Sequence, residues 1–301
     1  MSPRNANLLL LLAGATWGMG FIAQETAMDD MGPMLFIGFR FLLAGLVVLP
    51  FAIREQFKTD NNLSWKNFLK LAPVGVIFFL AMALQQLGLL ATTVTKAGFL
   101  TALYVVFVPL ILLSFLRERQ AFIIWPASAI ALFGIFLLSG GNITSLNWGD
   151  WLVIGCAVFW ALHVILVGKV GGASGTPVTM ACLQFFICGI LGMAGHWVVP
   201  LFGVFEPDAS WQIIMAALPE ILYAGIFAGG LAFTLQAIGQ QYTSEAAAAI
   251  LLASESLFAA MFGAWFLGER LGVIGYVGCG LIFAALVLVE LKPTARRGSV
   301  T

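Results

Sequence analysis

The sequence has few charged residues. Asp, Glu, Lys and Arg make up only 9% of its 301 residues, whereas 61% are apolar and the mean hydropathy is +1.02. A water-soluble domain carries roughly 25% charged residues, because its surface must be hydrated. Most of this surface must therefore face lipid, which excludes a soluble globular protein.

Motifs of several other protein classes are also missing. No basic run exceeds two residues, so nucleic-acid binding is not expected. No Gly-rich Lys-Ser/Thr phosphate loop occurs, which argues against energisation by ATP. The cysteines lie in apolar stretches without metal-ligand spacing and are interpreted as small packing residues: Cys156, Cys182, Cys188 and Cys279. We expect neither a cofactor nor a metal.

Two other classes of membrane protein fit poorly. An enzyme acting on lipids or isoprenoids needs clustered catalytic groups, such as paired carboxylates that hold Mg²⁺. Asp29-Asp30 is the sole acidic pair, and neither a His-Glu-x-x-His helix nor a nucleophile elbow accompanies it. A channel would need a ring of like charges or a filter, and the sequence has neither. A lipid enzyme therefore stays only a remote alternative.

Ten apolar runs approach the roughly 20 residues that a membrane-spanning helix needs. Their polarity does not alternate, which excludes barrel strands. The first run resembles a signal peptide but continues through Trp17 to Ala23, long enough to span uncleaved. The predicted fold class is an all-α integral membrane protein with ten transmembrane helices at approximately 7–26, 33–53, 68–90, 95–116, 120–139, 149–169, 177–199, 213–238, 244–267 and 270–291.

The basic residues predict the orientation, because Lys and Arg remain on the cytoplasmic side. With the N-terminus inside, the outer segments hold only Lys96 and Arg270. We therefore predict a multi-pass inner (plasma) membrane protein with both termini in the cytoplasm. The inner segments hold eleven basic residues: Arg4, Arg54, Lys58, Lys66, Lys70, Arg117, Arg119, Lys169, Lys292, Arg296 and Arg297.

The two halves of the sequence repeat each other. Residues 84–119 align without a gap onto residues 235–270 at an offset of 151, with Gln85 on Gln236. Earlier in each half, Trp17 falls on Trp160 at an offset of 143 and Arg40 on Gln184 at an offset of 144. Because five helices are an odd number, the second copy must insert upside down. Inverted repeats with a site near the bilayer midplane are a transporter architecture.

Three motifs carry a resemblance to a known family. Residues 39–45 (Phe-Arg-Phe-Leu-Leu-Ala-Gly), Trp17-Gly18, and the paired helix ends Leu116-Arg117-Glu118-Arg119 and Leu267-Gly268-Glu269-Arg270 resemble the EamA type of the drug/metabolite transporter superfamily. The resemblance covers essentially the whole chain. It implies two five-helix repeats, 1–141 and 142–301, and a central cavity enclosed by helices 1–4 and 6–9. Ser256 departs from the family pattern, which has Pro after Glu255, so the gating of helix 9 is expected to differ.

Two charged residues lie inside predicted spans, where a charge usually faces protein or a wet cavity. The guanidinium of Arg40 suits a substrate carboxylate; a structural ion pair with Glu25 and snorkelling are the alternatives. Glu255 lies near the middle of the ninth span and is our first candidate for binding a proton or a substrate ammonium. A helix–helix hydrogen bond made by a neutral Glu255 is its alternative.

Other polar and aromatic residues are candidates for the cavity wall. Trp17 and Trp160 lie mid-span, away from the headgroup belts, and with Tyr104 they could line an aromatic cavity; plain packing is the alternative. His163 follows Trp160 on the same helix face and could titrate, or it could be a satisfied core histidine. Side-chain amides can bind a polar solute or join helices: Gln85, Gln184 and Gln236.

The function predicted from these features is alternating-access export of small amphipathic metabolites, in the first place amino acids and among them aromatic ones. Facilitated transport of other solutes such as drugs, sugars or nucleosides is the alternative. Small residues at 275–280 in the tenth span have a spacing that favours helix pairing, so a homodimer is a further prediction.

Overall fold

The computed structural model describes residues 1–59, 64–141, 146–266 and 270–291. These residues form helices and turns, and no strand occurs among them. Among these residues, ten helices, numbered in chain order, build the bundle, and a short helix, Trp211–Ala216, precedes the eighth. They are α1 Pro3–Asp30, α2 Pro33–Lys58, α3 Trp65–Leu89, α4 (Val94–Thr101 and Tyr104–Ser114), α5 Ile124–Leu138, α6 Trp148–Leu166, α7 Pro177–Val198, α8 (Leu218–Leu222, Tyr223–Leu231 and Ala232–Gly239), α9 (Glu245–Leu252 and Glu255–Phe266) and α10 Val273–Leu291.

The helices have the length and composition of membrane spans. Eight stretches of the described chain are long and apolar enough to cross a bilayer, and α5 is a shorter apolar helix. The remaining helix, α1, has 28 residues. The predicted fold class, an all-α membrane protein with ten helices, is confirmed. A π-helical turn, Val167–Gly171, follows α6 directly, and the middle part of α8, Tyr223–Leu231, is π-helical.

The packing of the helices follows a pseudo-twofold axis. α2 packs against α7 and α5 against α10, so that each of these helices contacts its own repeat counterpart. α3 packs against α6 in the same way that α8 packs against α1. Because each half has five helices, this axis relates halves of opposite orientation.

Two glutamates that are 151 residues apart each cap a helix of the opposite repeat. Glu206 accepts hydrogen bonds from the backbone N–H groups of Met34 and Leu35 at 3.2 and 2.7 Å, in the first turn of α2. Glu55 accepts those of Val178 and Thr179 at 3.1 and 2.7 Å, in the first turn of α7. A helix N-terminus carries unpaired donors and partial positive charge, which a carboxylate neutralises. We name the two ends of the bundle the Glu206 end and the Glu55 end.

A second pair of polar contacts also obeys the repeat. Thr92 donates to the carboxylate of Asp150 at 2.5 Å, and Lys96 forms an ion pair with the same carboxylate at 2.6 Å. At the equivalent place in the other half, Thr243 donates to Asn7 at 2.7 Å. These contacts join α6 to α3 and α4 at the Glu206 end, and α1 to the start of α9 at the Glu55 end.

α4 and α9 each contain a tighter, 3-10-like turn at equivalent positions of the repeat. In α4 the N–H of Val105 bonds the carbonyl of Ala102, three residues back, and in α9 the N–H of Ser256 bonds Ala253 in the same way. These tight turns divide both helices near their middle, beside Tyr104 and Glu255. The turn in α9 therefore forms without the proline that the family resemblance led us to expect at position 256.

The small-residue pattern predicted to favour helix pairing makes a glycine contact between α5 and α10, and some other predicted residues lie outside the described structure. Gly278 of α10 packs against Gly134 of α5, where an added Cβ would lie 2.5 Å from the Gly134 carbonyl oxygen. This part of the small-residue pattern in the tenth span therefore serves a contact within the chain, and the homodimer stays a prediction. The Glu25 side chain, residues 267–269 and the basic residues from Lys292 onward lie outside the described residues.

Candidate functional site

A cavity of about 60 Å³ lies in the middle of the bundle. Its wall comes from α1–α4, α6, α8 and α9, and no residue of α5, α7 or α10 contributes among those described. It extends toward the Glu206 end along α1 and the first half of α8. The lining residues are Trp17, Gly20, Gln24, Arg40, Phe41, Met82, Gln85, Thr101, Tyr104, Trp160, Val164, Ala224, Ala228, Gly229, Phe233, Gln236, Leu252 and Glu255.

Arg40 supplies a positive charge to this wall. It is 3% exposed, and its guanidinium lies 4.7 Å from the ring centroids of both Phe36 and Phe41. One terminal nitrogen contacts the Met82 sulfur at 3.0 Å, while Nε has no hydrogen-bond partner. No described carboxylate forms an ion pair with Arg40. Rings and a thioether disperse the charge but do not neutralise it, so the guanidinium remains available to an anionic group.

Glu255 supplies a carboxyl group to the same wall. It is the first residue of the second half of α9, and its repeat counterpart Tyr104 opens the second half of α4. Within the described part of the chain, no hydrogen bond or ion pair holds the Glu255 carboxyl group. One cavity thus contains a cationic and an acidic side chain that are not paired with each other.

Aromatic rings form the floor of the cavity. Trp160 and Phe233 stack at 5.7 Å with an interplanar angle of 3°, and Trp17 lies 4.4 Å from Phe233. Trp17 is held by a hydrogen bond from Nε1 to the Ala228 carbonyl at 2.8 Å, in the π-helical part of α8. A carbonyl in such a turn is free to accept a side-chain donor, because the regular helical ladder is locally interrupted.

The two repeat-related glutamines are partly committed to other partners. Gln85 donates to Thr101 at 3.1 Å, and Gln236 donates to Gln240 at 2.8 Å. The carbonyl oxygen of Gln236 is buried without a partner. An unused acceptor on a cavity wall can receive a donor from a bound solute.

His163 and Gln184 do not line the cavity in this conformation. They lie beside it among the rings of Phe78 and Phe185, 0% and 1% exposed, with His163 Nε2 and Gln184 Oε1 2.9 Å apart. His163 is one helical turn beyond Trp160, and Phe78 is one turn before Met82, in both cases nearer the Glu55 end. We call these four residues the closing layer: His163, Gln184, Phe78 and Phe185. A binding role for His163 and Gln184 stays a prediction.

The structure therefore brings together seven of the nine residues predicted from sequence. It adds several that sequence reasoning missed, among them Met82, Thr101, Phe233 and Leu252. Met82 and Phe233 occupy equivalent positions at the offset of 151, as do Thr101 and Leu252. The repeat could have identified them, but apolar side chains inside an apolar span give no signal of their own.

A buried, partly polar cavity between inverted halves is typical of one class of protein, the membrane transporters. The sequence matches the EamA-like transporter family over residues 4–140 and 147–291. The chain belongs to that family and is a multi-pass integral membrane transporter.

Relatives and a solved structure agree with this assignment. An "uncharacterized transporter" of Archaeoglobus fulgidus is 32% identical over 289 residues, 95% of this chain and 86% of the relative. The inner membrane transporter YedA of Escherichia coli is 26% identical over 91% of this chain and 87% of its own length. A "probable amino-acid metabolite efflux pump" of Escherichia coli is 23% identical over 59% of this chain and 58% of its own. A crystal structure with 16% identity covers 99% of this chain and 100% of its own with a TM-score of 0.78, which shows a shared fold.

Proposed function

We propose that this transporter exports amino acids across the inner membrane by alternating access. The observation that carries the proposal is the presence of Arg40 and Glu255 in one aromatic-walled cavity with no described ion-pair partner. An amino acid presents a carboxylate and an ammonium group on a single carbon. Arg40 would bind the carboxylate and Glu255 the ammonium, and each charge would then be compensated within the membrane.

The rings beside these two groups suggest which side chains are accepted. Trp17, Trp160 and Phe233 offer apolar faces that an apolar or aromatic side chain can contact. The present cavity of about 60 Å³ holds only a few water molecules, so the lining side chains must move apart to admit an amino acid. Such movement belongs to a cycle in which the two halves exchange conformations.

The direction of insertion is part of the proposal. Among the described residues, most basic side chains near the helix ends lie at the Glu55 end, whereas Lys96 and Arg270 lie at the Glu206 end. The positive-inside rule then assigns the Glu55 end and both termini to the cytoplasm. The cavity would accordingly open toward the outside in this conformation.

Flux from proteoliposomes tests the substrate class. Vesicles loaded with a panel of labelled amino acids, sugars and nucleosides should show saturable efflux of apolar and aromatic amino acids, measured with and without a pH gradient. Saturable flux of sugars or nucleosides with none of amino acids would refute the proposal in favour of a carrier of other solutes. Residual flux in Glu255→Gln that no longer responds to the pH gradient would identify Glu255 as the proton-binding group.

Matched variants test the site. Glu255→Gln and Trp160→Ala should each reduce amino-acid flux at least tenfold, since each removes a group of the cavity wall. Glu118→Gln changes an exposed glutamate, and Trp151→Ala a 61% exposed tryptophan on the same helix as Trp160, so both should retain flux. Undiminished flux in Glu255→Gln and in Trp160→Ala would remove this site assignment.

A further inference from the structure

The residues of the cavity wall divide into two kinds, according to whether the repeat counterpart of each residue also lines the cavity. Ten of its members form five pairs in which both repeat counterparts line the cavity. These pairs lie about the pseudo-twofold axis and stay in place if the two halves exchange conformations. They are Trp17 with Trp160, Met82 with Phe233, Gln85 with Gln236, Thr101 with Leu252, and Tyr104 with Glu255.

Other wall residues have counterparts that do not line the cavity. For four of the eight remaining wall residues, the counterpart belongs to the closing layer on the side of the Glu55 end. The correspondence joins Gly20 to His163, Arg40 to Gln184, Phe41 to Phe185 and Gly229 to Phe78. An exchange of conformations between the halves would bury the first member of each pair and expose the second.

We propose that His163 and Gln184 form a second half of the binding site, exposed when the transporter opens at the Glu55 end. In that state Gln184 occupies the position that Arg40 has in the present conformation. The inference rests on the proposed function for the identity of the solute, but its geometry rests on the repeat alone.

The hydrogen bonding of these two residues supports a ligand role. His163 and Gln184 bond each other at 2.9 Å, yet His163 Nδ1 and Gln184 Nε2 are buried and have no hydrogen-bond partner among the described residues. A pair that served packing alone would leave two polar atoms uncompensated in an apolar layer, which costs free energy. Both atoms can instead bond a solute once the layer parts.

The chemistry of the two half-sites differs. At the Glu206 end a carboxylate meets the charged guanidinium of Arg40, whereas at the Glu55 end it meets the amide N–H of Gln184. When His163 Nε2 donates to Gln184 Oε1, His163 Nδ1 is an acceptor and suits the ammonium group of the solute. Hydrogen bonds from charged donors are roughly twice as strong as neutral ones. Arg40 variants should therefore alter the half-saturating concentration on one face of the membrane, and Gln184 variants that on the other.

Thiol labelling from each face tests the geometry without any transport substrate. In a full-length background with the four native cysteines replaced by serine or alanine, Arg40→Cys and Gln184→Cys are exposed to a membrane-impermeant maleimide in vesicles of both orientations. Arg40→Cys should react from one face and Gln184→Cys from the opposite face. Ser128→Cys, on α5 outside the cavity and 2% exposed, is the buried control. A Gln184→Cys that reacts no faster than Ser128→Cys, or only from the same face as Arg40→Cys, overturns the proposal.

Trimming the closing layer provides a second, independent test. Phe78→Ala removes a ring of this layer and should speed the labelling of Gln184→Cys at least threefold. Phe185→Ala serves the same purpose if the Phe78 variant does not fold. Phe79→Ala, the same change one residue along α3, should leave the labelling rate unchanged. Equal labelling rates of Gln184→Cys in the otherwise unchanged protein, with Phe78→Ala and with Phe79→Ala would contradict the assignment of the closing layer as the barrier to access from the Glu55 end.

Protection by L-phenylalanine separates the binding claim from the substrate claim. It should slow labelling of Gln184→Cys at least threefold from the Glu55-end face. If L-phenylalanine is transported but gives no protection, the half-site proposal fails. If opposite-face labelling is observed but no amino acid is transported, the half-site geometry stands and the proposed substrate class is refuted.

Discussion

The two capping glutamates offer the sharpest test of the inverted architecture. Replacing Glu55 or Glu206 by Ala removes a carboxylate from the first turn of a helix in the other repeat. Glu55 accepts two backbone bonds and a third from the Thr179 hydroxyl at 2.8 Å. Glu206 accepts two backbone bonds, one of them long at 3.2 Å, and its carboxyl oxygen lies 3.7 Å from His196 Nδ1, beyond hydrogen-bond distance. The Glu55 variant should therefore lose more stability.

The size of each loss follows from known capping energies. Removing an N-terminal cap costs about 0.5–2 kcal/mol, and a partly buried charge at a helix dipole adds up to about 2 kcal/mol. We expect Glu55→Ala to lower the free energy of unfolding by about 2–4 kcal/mol. For Glu206→Ala we expect about 0.5–2 kcal/mol, the cap alone, because the burial that raises the pKa of Glu206 offsets the gain from its charge. Because the two caps lie at opposite ends of the bundle, their effects should add to within about 0.5 kcal/mol in the double variant.

Unfolding in detergent micelles, followed by helical circular dichroism during denaturant titration, measures these differences. Glu118→Ala is the control, since the ion pair of Glu118 with Lys169 is exposed and is expected to contribute less than about 1 kcal/mol. If neither cap variant loses more stability than Glu118→Ala, the reciprocal capping of the repeats does not stabilise the bundle. Coupling above about 1 kcal/mol between the two caps would refute their independence.

Three further predictions concern other contacts, each read as the free energy of unfolding in the same micelles. Gly278→Ala should lower the free energy of unfolding by about 1–3 kcal/mol, because the added Cβ would overlap the α5 backbone. Gly280→Ala is the control and should change it little, because the space around Gly280 is open. Equal losses in the two variants would contradict the α5–α10 contact. Thr243→Val should lower the free energy of unfolding by about 1–3 kcal/mol, because the Asn7 side-chain oxygen would lose the hydroxyl that donates to it. An unchanged free energy of unfolding would show that this hydrogen bond does not stabilise the protein. Burial raises the pKa of Glu206 above its ordinary value of 4.5, so the folded state favours the protonated side chain. This protonation-linked part of the stability is fully present below pH 4.5 and is lost as pH rises through the folded pKa, whereas the backbone bonds that Glu206 accepts are a separate contribution. The free energy of unfolding should therefore depend less on pH in Glu206→Gln than in the wild type. Parallel profiles of unfolding free energy against pH in the two proteins would refute this prediction.

The fold was largely predictable because its determinants are local. A span reveals itself by about 20 apolar residues, and the repeat by a gapless match that keeps polar residues in register. Arg40 and Glu255 were found for the same reason, since a charge within an apolar run is conspicuous. The aromatic partner Phe233 was missed, because one more apolar residue in a span carries no information about which neighbour it faces.

The sequence by itself determined that this chain spans a membrane about ten times, that its halves are inverted copies and that it belongs among transporters. Only the tertiary structure decided that Arg40 faces the cavity while its counterpart Gln184 is buried beside His163. It also showed that Glu55 and Glu206, each more than 100 residues from the helix it caps, hold the two repeats together at opposite ends. Composition and periodicity report what surrounds a residue on average, whereas these contacts depend on how distant helices pack in one particular conformation.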